Sequence, residues 1–227
     1  MTWGILGALD EEVALIKENM KVENVCEKYG TTFYQGKIGD KPVVLACCGI
    51  GKVNAAICAT AILQEFQADC LINVGIAGAM HPSLHVMDVV ISKEVGFHDQ
   101  DPIMLNYYPK KEFFQASENL IYLCQQACNE MQDDLKGKVY TGRIMSGDVF
   151  VNDSAVKKQI NDRYAPYCVE MEGASMGHAA YMHGKPFLVI RSMSDSADDN
   201  ADESYDNLID VAAHQSASII LHMLAKA

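Results

Sequence analysis

Five apolar runs of strand length in this chain each end in a loop of small residues, at 7–12, 48–52, 75–79, 145–151 and 191–199. Helical patterns lie between most of them. This punctuation leaves few folds open, because parallel strands need crossover helices to return the chain. The expected order is β-α-β-β-α-β-β-α-β-α-β-α-β-α. It implies an α/β fold with a central mixed, mostly parallel β-sheet flanked by helices. In such sheets ligands bind beyond the C-terminal ends of the strands, so the five loops should converge on one pocket. A length of 227 residues, with no shift in composition along it, suggests one domain over 1–227.

The charge balance narrows the function. Acids outnumber Lys and Arg by 30 to 18, a formal charge of −12. That disfavours nonspecific nucleic-acid binding, which needs basic patches. The start, MTWGILGALDEE, has no basic segment and brings acids where a signal peptide would stay apolar. No apolar run is expected to reach bilayer length, so no membrane partner is expected and the location implied is cytoplasmic. The eight cysteines form no CxxC pair and sit within apolar patterns, as reduced core thiols do.

Thr2–Leu9 reads as a strand, and Asp10-Glu11-Glu12 opens a helix with acids in its first turn. For Asp10 and Glu11 that explanation suffices; for Glu12 a further role stays open. Thr31–Ile38 and Lys41–Cys48 alternate about Gly39-Asp40, a hairpin signal. Cys48-Gly-Ile-Gly-Lys-Val53 lacks the spacing of a phosphate loop, and its Lys52 is either solvated or functional. Helices are expected over Val53–Phe66, Gln115–Met131, Asp153–Tyr164 and Ala201–Ala225. Strands are expected over Ala68–Val74, Val86–Ile91 and Gly137–Ile144, with a glycine turn at 75–79. His98-Asp99-Gln100-Asp101 has too few further ligands at suitable spacing for a metal site. The aromatic segment Asn106–Phe114 suits a lid, a substrate wall or a subunit contact.

Chemistry concentrates between Cys168 and Asp199. V-E-M-E places Glu170 and Glu172 two residues apart in apolar surroundings. A strand at Phe187–Ile190 then ends in Arg191, Ser192, Ser194 and Asp195. Solvated glutamates and a helix-capping Asp195 are the plain alternative.

Six motifs stand in order along the chain: GILGALDEEV at 4–13, CGIGKVNAA at 48–56, NVGIAGA at 73–79, SGDVFV at 146–151, VEMEGAS at 169–175 and RSMSDSAD at 191–198. Together they resemble the 5′-methylthioadenosine/S-adenosylhomocysteine nucleosidases of the nucleoside phosphorylase/nucleosidase superfamily, over essentially the whole chain. The resemblance implies hydrolysis of the bond between adenine and a 5′-thio-substituted ribose. That reaction passes through an oxocarbenium-like ribosyl cation, needs an acid at the base and a general base for water, and requires no cofactor or metal.

By match to those motifs, Asp195 would protonate adenine N7 with Ser194 holding its carboxyl, and Glu12 would activate water. Glu172 would bind the ribose hydroxyls, Met171 would pack on the sugar, and Arg191 would help place water and ribose. Phe150 would stack on adenine while the backbone of Val151 reads its amino edge, and Ile50 would join Met171 in the apolar wall around the 5′ group. Ile76, Ala77, Gly78 and Glu170 fall at further substrate-binding positions, and Tyr205 falls where the family closes a Phe over the ligand. The phosphorylases of the superfamily bring several arginines to phosphate. Here the first loop is acidic, which favours water as the nucleophile over a purine nucleoside or methylthioadenosine phosphorylase. A silent adenine-nucleoside binding protein would be expected to have lost one of Glu12, Glu172 and Asp195; all are present.

The chain departs from the pattern in three places. Many members have Ser where Ile76 stands, so a polar contact near the water is missing or replaced. Residues 102–109 differ from the usual hydrophobic wall, and Tyr205 adds a hydroxyl that would suit a more polar 5′ substituent. The family implies a homodimer in which segment 97–114 of the second subunit partly closes the pocket.

Overall fold

A computed structural model describes residues 1–198 and 201–227, apart from the side chains of 202–204, 206 and 207. Asp199, the end of the 168–199 stretch, lies outside the described residues. The strands are β1 (Trp3–Gly7), β2 (Lys21–Lys28), β3 (Thr31–Ile38), β4 (Lys41–Cys47), β5 (Cys70–Ala79), β6 (Val89–Phe97), β7 (Phe113–Gln115), β8 (Val139–Ser146), β9 (Cys168–Glu170) and β10 (Phe187–Asp195). The helices are α1 (Asp10–Glu18), α2 (Lys52–Gln64), α3 (Glu118–Glu130), α4 (Ser154–Tyr164), α5 (Gly173–Met182) and α6 (Ala201–Lys226), with a short 3-10 turn at Pro102–Asn106.

All ten strands form one mixed sheet, ordered β10-β6-β8-β9-β5-β1-β4-β3-β2, with β7 beside β6. β5 also pairs with β10, so β5, β10, β6, β8 and β9 close into a ring. The heart of the sheet is parallel: β4 with β1, β1 with β5, and β5 with β10. These strands are apolar almost throughout because both their faces are covered. Helices α2 and α5 pack on each other and against β5, while α6 packs on α1, α3, β5 and β10.

Four expectations need correction. Residues 75–79 are not a turn but the second half of β5, buried along its whole length. The strand at 187–190 likewise continues to Asp195, with a register irregularity between Met193 and Asp195. Lys21–Lys28 and Phe113–Gln115 are strands that the expected order lacks. The first is almost wholly exposed and so carries no apolar alternation. The second is a three-residue edge piece paired with β6 inside the aromatic segment. Finally, Leu208–Lys226 does have the length and composition to cross a bilayer, with a mean hydropathy of 1.3. Half of that window is buried within the fold. Its apolar face, including Ala213, Ala217, Ile220 and Leu224, is the core contact of α6. The eight cysteines are free thiols.

Candidate active site

A cavity of about 430 Å³ opens where the strand-end segments meet. Its walls come from Ala8, Leu9 and Glu12 after β1, Ile50 before α2, Ile76–Gly78 of β5, and Val149–Val151 after β8. Val169–Glu172, Ser194 and Asp195 of β10, and Tyr205 of α6 complete it. Thirteen of the fourteen residues singled out in the sequence line this space; Arg191 does not. Ala8, Leu9, Val149 and Val169 line it without having been singled out, although three of the four fall inside the small-residue loops that signalled a pocket.

Glu12 is buried although it stands in the first turn of α1. Its Oε2 accepts hydrogen bonds from the N–H groups of Ala8 (2.6 Å) and Leu9 (3.0 Å), and Oε1 accepts one from Ile76 (3.0 Å). It therefore caps the helix end with one oxygen and reaches across to β5 with the other. Burial raises its pKa above the usual carboxylate value, while the Arg191 charge and the three N–H groups oppose that rise. The contact that Ile76 makes with Glu12 comes from its main chain. Its side chain packs with Ala212, Ala213, Tyr205 and Ile209 beneath α6.

Two glycines make these approaches possible. A Cβ at Gly75 would lie 2.2 Å from Glu12 Oε1, and one at Gly78 would lie 2.7 Å from Asp195 Oδ1. The glycines of NVGIAGA serve the carboxylates, not a turn.

Asp195 is buried at the end of β10. Its Oδ2 accepts from the Ser194 hydroxyl at 2.7 Å and its Oδ1 from the Ala197 N–H at 2.7 Å. Burial raises its pKa, and those two hydrogen bonds only partly offset the rise. Glu172 accepts from the Gly51 N–H at 2.8 Å. Burial and the neighbouring Glu170 charge raise its pKa to about 8, against the pull of Arg191.

Arg191 sits behind the cavity, 1 % exposed. It donates to Glu170 and to Asn73 Oδ1 (2.5 Å), and it lies 3.6 Å from Glu172 Oε2. Burial alone would lower its pKa, but Glu170, Glu12 and Glu172 together hold it above the ordinary arginine value. Glu170, though on the cavity wall, has both oxygens engaged: by Arg191, by the Ser146 hydroxyl, and by the N–H groups of Glu172 (3.0 Å) and Gly173 (2.7 Å). It anchors the start of α5 and so fixes Glu172. Asn73, which bridges Arg191 to the Leu6 carbonyl, was not singled out. A lone amide in a buried strand was the available signal.

At the rim, the rings of Phe150 and Tyr205 meet edge to face at 5.6 Å. Asp99 is held by Lys52 at 2.6 Å rather than offered to a metal. Among the described residues no group of three or more His, Cys, Asp or Glu side chains is gathered as metal ligands would be. Two buried carboxyl groups, one of them held by three N–H donors, and an aromatic rim together suit cleavage of a bond to a planar leaving group.

Comparison with known proteins agrees with this reading. The family model of the phosphorylase superfamily matches residues 2–225. The chain is 38% identical over 232 residues to the 5′-methylthioadenosine/S-adenosylhomocysteine nucleosidase of Aeromonas salmonicida, covering 100% of both chains. It is 38% identical over 231 residues to that of Halalkalibacterium halodurans, covering 98% of this chain and 97% of the other. Among solved structures, the nucleosidase of Neisseria meningitidis in complex with methylthio-immucillin-A superposes with a TM-score of 0.94. The identity there is 34%, over 100% of this chain and 99% of that one. The chain therefore belongs to the phosphorylase superfamily and, within it, to the 5′-methylthioadenosine/S-adenosylhomocysteine nucleosidases.

Proposed function

We propose that this protein hydrolyses the N-glycosidic bond of 5′-methylthioadenosine and S-adenosylhomocysteine, with Asp195 as general acid and Glu12 as general base. The observation that carries the assignment is the contrast between two carboxyl groups on one cavity. Both are buried and both are raised in pKa. Glu12, however, also faces three N–H donors and the Arg191 charge, which favour its ionised form. Asp195 receives a hydroxyl and one N–H and makes no ion pair with Arg191. Such differently balanced surroundings let one site supply an acid and a base together.

In this reading Asp195 protonates adenine N7, and the developing ribosyl cation is attacked by a water that Glu12 deprotonates. Glu172 accepts from the ribose hydroxyls, Met171 packs on the sugar, Phe150 stacks on adenine and the Val151 main chain reads its amino edge. Arg191 acts through Glu12, Glu170 and Glu172, as a positioning residue. The cavity wall carries no Lys or Arg side chain among the described residues. A phosphate dianion would meet the Glu12 carboxylate and no cation on that wall, which supports water as the nucleophile over phosphate.

The same reading includes one domain over 1–227, a cytoplasmic location and a homodimer in which segment 97–114 closes part of the partner's pocket. Ile103, Met104, Tyr107 and Tyr108 of that segment are exposed in the single chain, which supports such a contact. Replacing Asp195→Asn and Glu12→Gln tests the roles. Each should lower kcat by about 10²- to 10⁴-fold with 5′-methylthioadenosine. Near-normal turnover in either variant would refute its assignment.

A further inference from the structure

Three segments, two of which reach the cavity wall, are tied together by one lysine. Lys52 opens α2, directly after Gly51, whose N–H holds Glu172. The Lys52 ammonium lies 2.6 Å from Asp99 Oδ2, beyond β6, and 3.5 Å from Asp148 Oδ2, beyond β8. Its main-chain N–H donates to Asp148 Oδ1 at 2.8 Å, and the Asp148 N–H donates to Asp99 Oδ2 at 2.9 Å. Its ammonium also faces the Phe97 ring, 5.8 Å from the centroid. Partial burial would raise the Asp99 carboxyl, but Lys52 and the Asp148 N–H hold it below its ordinary value.

None of the three polar residues lines the cavity. Neighbours of two of them do: Ile50 precedes Lys52 by two residues, and Phe150 follows Asp148 by two. Gly51 has φ +102°, and a Cβ there would lie 3.2 Å from Asp148 Oδ1, so the two loops are fitted closely together. Without the lysine, two carboxylates would face each other across this seam and push the loops apart.

We propose that Lys52, with Asp99 and Asp148, is a positioning cluster that locks the adenine-stacking loop to the loop that holds Glu172, so that base and ribose are gripped as one unit. This rests on the nucleosidase reading of the cavity. The lysine side chain is a quarter exposed, and its role is geometric. It should therefore set how tightly ligand is held, with little influence on the bond-breaking step.

The test compares Lys52→Met and Lys52→Arg with the unsubstituted protein, using calorimetric titration with adenine and steady-state turnover of 5′-methylthioadenosine. In Lys52→Met the adenine Kd and the KM should each rise about fivefold while kcat changes less than about twofold, and Lys52→Arg should restore most of the loss. The melting temperature should not move, and Asp148→Asn should give the same pattern at smaller size. Unchanged adenine affinity and KM in Lys52→Met would overturn the proposal, as would a kcat loss equal to the loss in kcat/KM. If the unsubstituted protein neither binds adenine nor turns over, the nucleosidase reading falls, and the cluster's role with it.

Discussion

Glu12 and Arg191 close over the same glycine. A Cβ on Gly75 would stand 2.2 Å from Glu12 Oε1 and 2.8 Å from Arg191 Nη1, so the bare backbone of β5 leaves the space that the carboxyl group and the guanidinium occupy. The strand takes this form because its chemistry lies on its surface: each missing side chain admits a carboxylate from another element.

Gly75→Ala should therefore act on activity. The added methyl must displace the Glu12 carboxylate or the guanidinium. A misplacement of about 1 Å at such a site costs up to about 10²-fold. The expected result is a comparable fall in kcat/KM with secondary structure retained by circular dichroism. Activity within twofold of normal would mean that Glu12 needs no such placement.

The Glu170–Arg191 pair is sealed from solvent, with side chains 2 % and 1 % exposed. Its value lies in what removal leaves behind. Arg191→Met would strand Glu170 and Glu172 together in a low-dielectric site, at a cost of about 3–5 kcal/mol. For a chain of this length that lowers Tm by about 6 °C or more. Glu170→Gln should cost less, because the amide still accepts from Ser146 or Arg191. Thermal unfolding of both variants checks the ranking.

The raised carboxyl groups fix the sign of two pH dependences. Between the ordinary 4.5 and about 8, folded Glu172 keeps a proton that the unfolded chain releases. Stability should fall as pH rises through that window, by no more than about 1.4 kcal/mol per pH unit for this group. Glu12 and Asp195, also raised, add the same sign. Glu172→Gln should flatten the decline in Tm between about pH 5 and about pH 8. Activity should show the opposite demands of acid and base. It falls on the alkaline side as Asp195 loses its proton and on the acid side as Glu12 gains one. Asp195→Asn should leave no alkaline limb to measure.

The legible parts of the fold were those carried by local pattern. The apolar runs at Thr2–Leu9 and Ala68–Val74, the hairpin about Gly39-Asp40, and the helix over Val53–Phe66 all announce themselves within a few residues. Lys21–Lys28 did not, because an exposed edge strand has no buried face to impose alternation. Gly75 and Gly78 looked like turn residues because the reason for them is distant. Glu12 and Asp195 arrive there from other elements. Arg191 shows the same limit. Its type pointed to ligand contact, whereas its burial among Glu170, Glu172 and Asn73 is a property of three strands and a helix start brought together. Glu170 differs from Glu172 in its close contacts with Arg191 and Ser146 and in its N–H donors, which spacing alone does not encode.

The most direct test of the central claim is to incubate the pure protein with 5′-methylthioadenosine in phosphate-free buffer and identify the sugar product, then repeat with phosphate. The expected result is adenine and free 5-methylthioribose at the same rate in both, slowed about 10²- to 10⁴-fold by Asp195→Asn. Release that requires phosphate and yields the sugar 1-phosphate would contradict it, and with it the reading of Glu12 as the base that activates water.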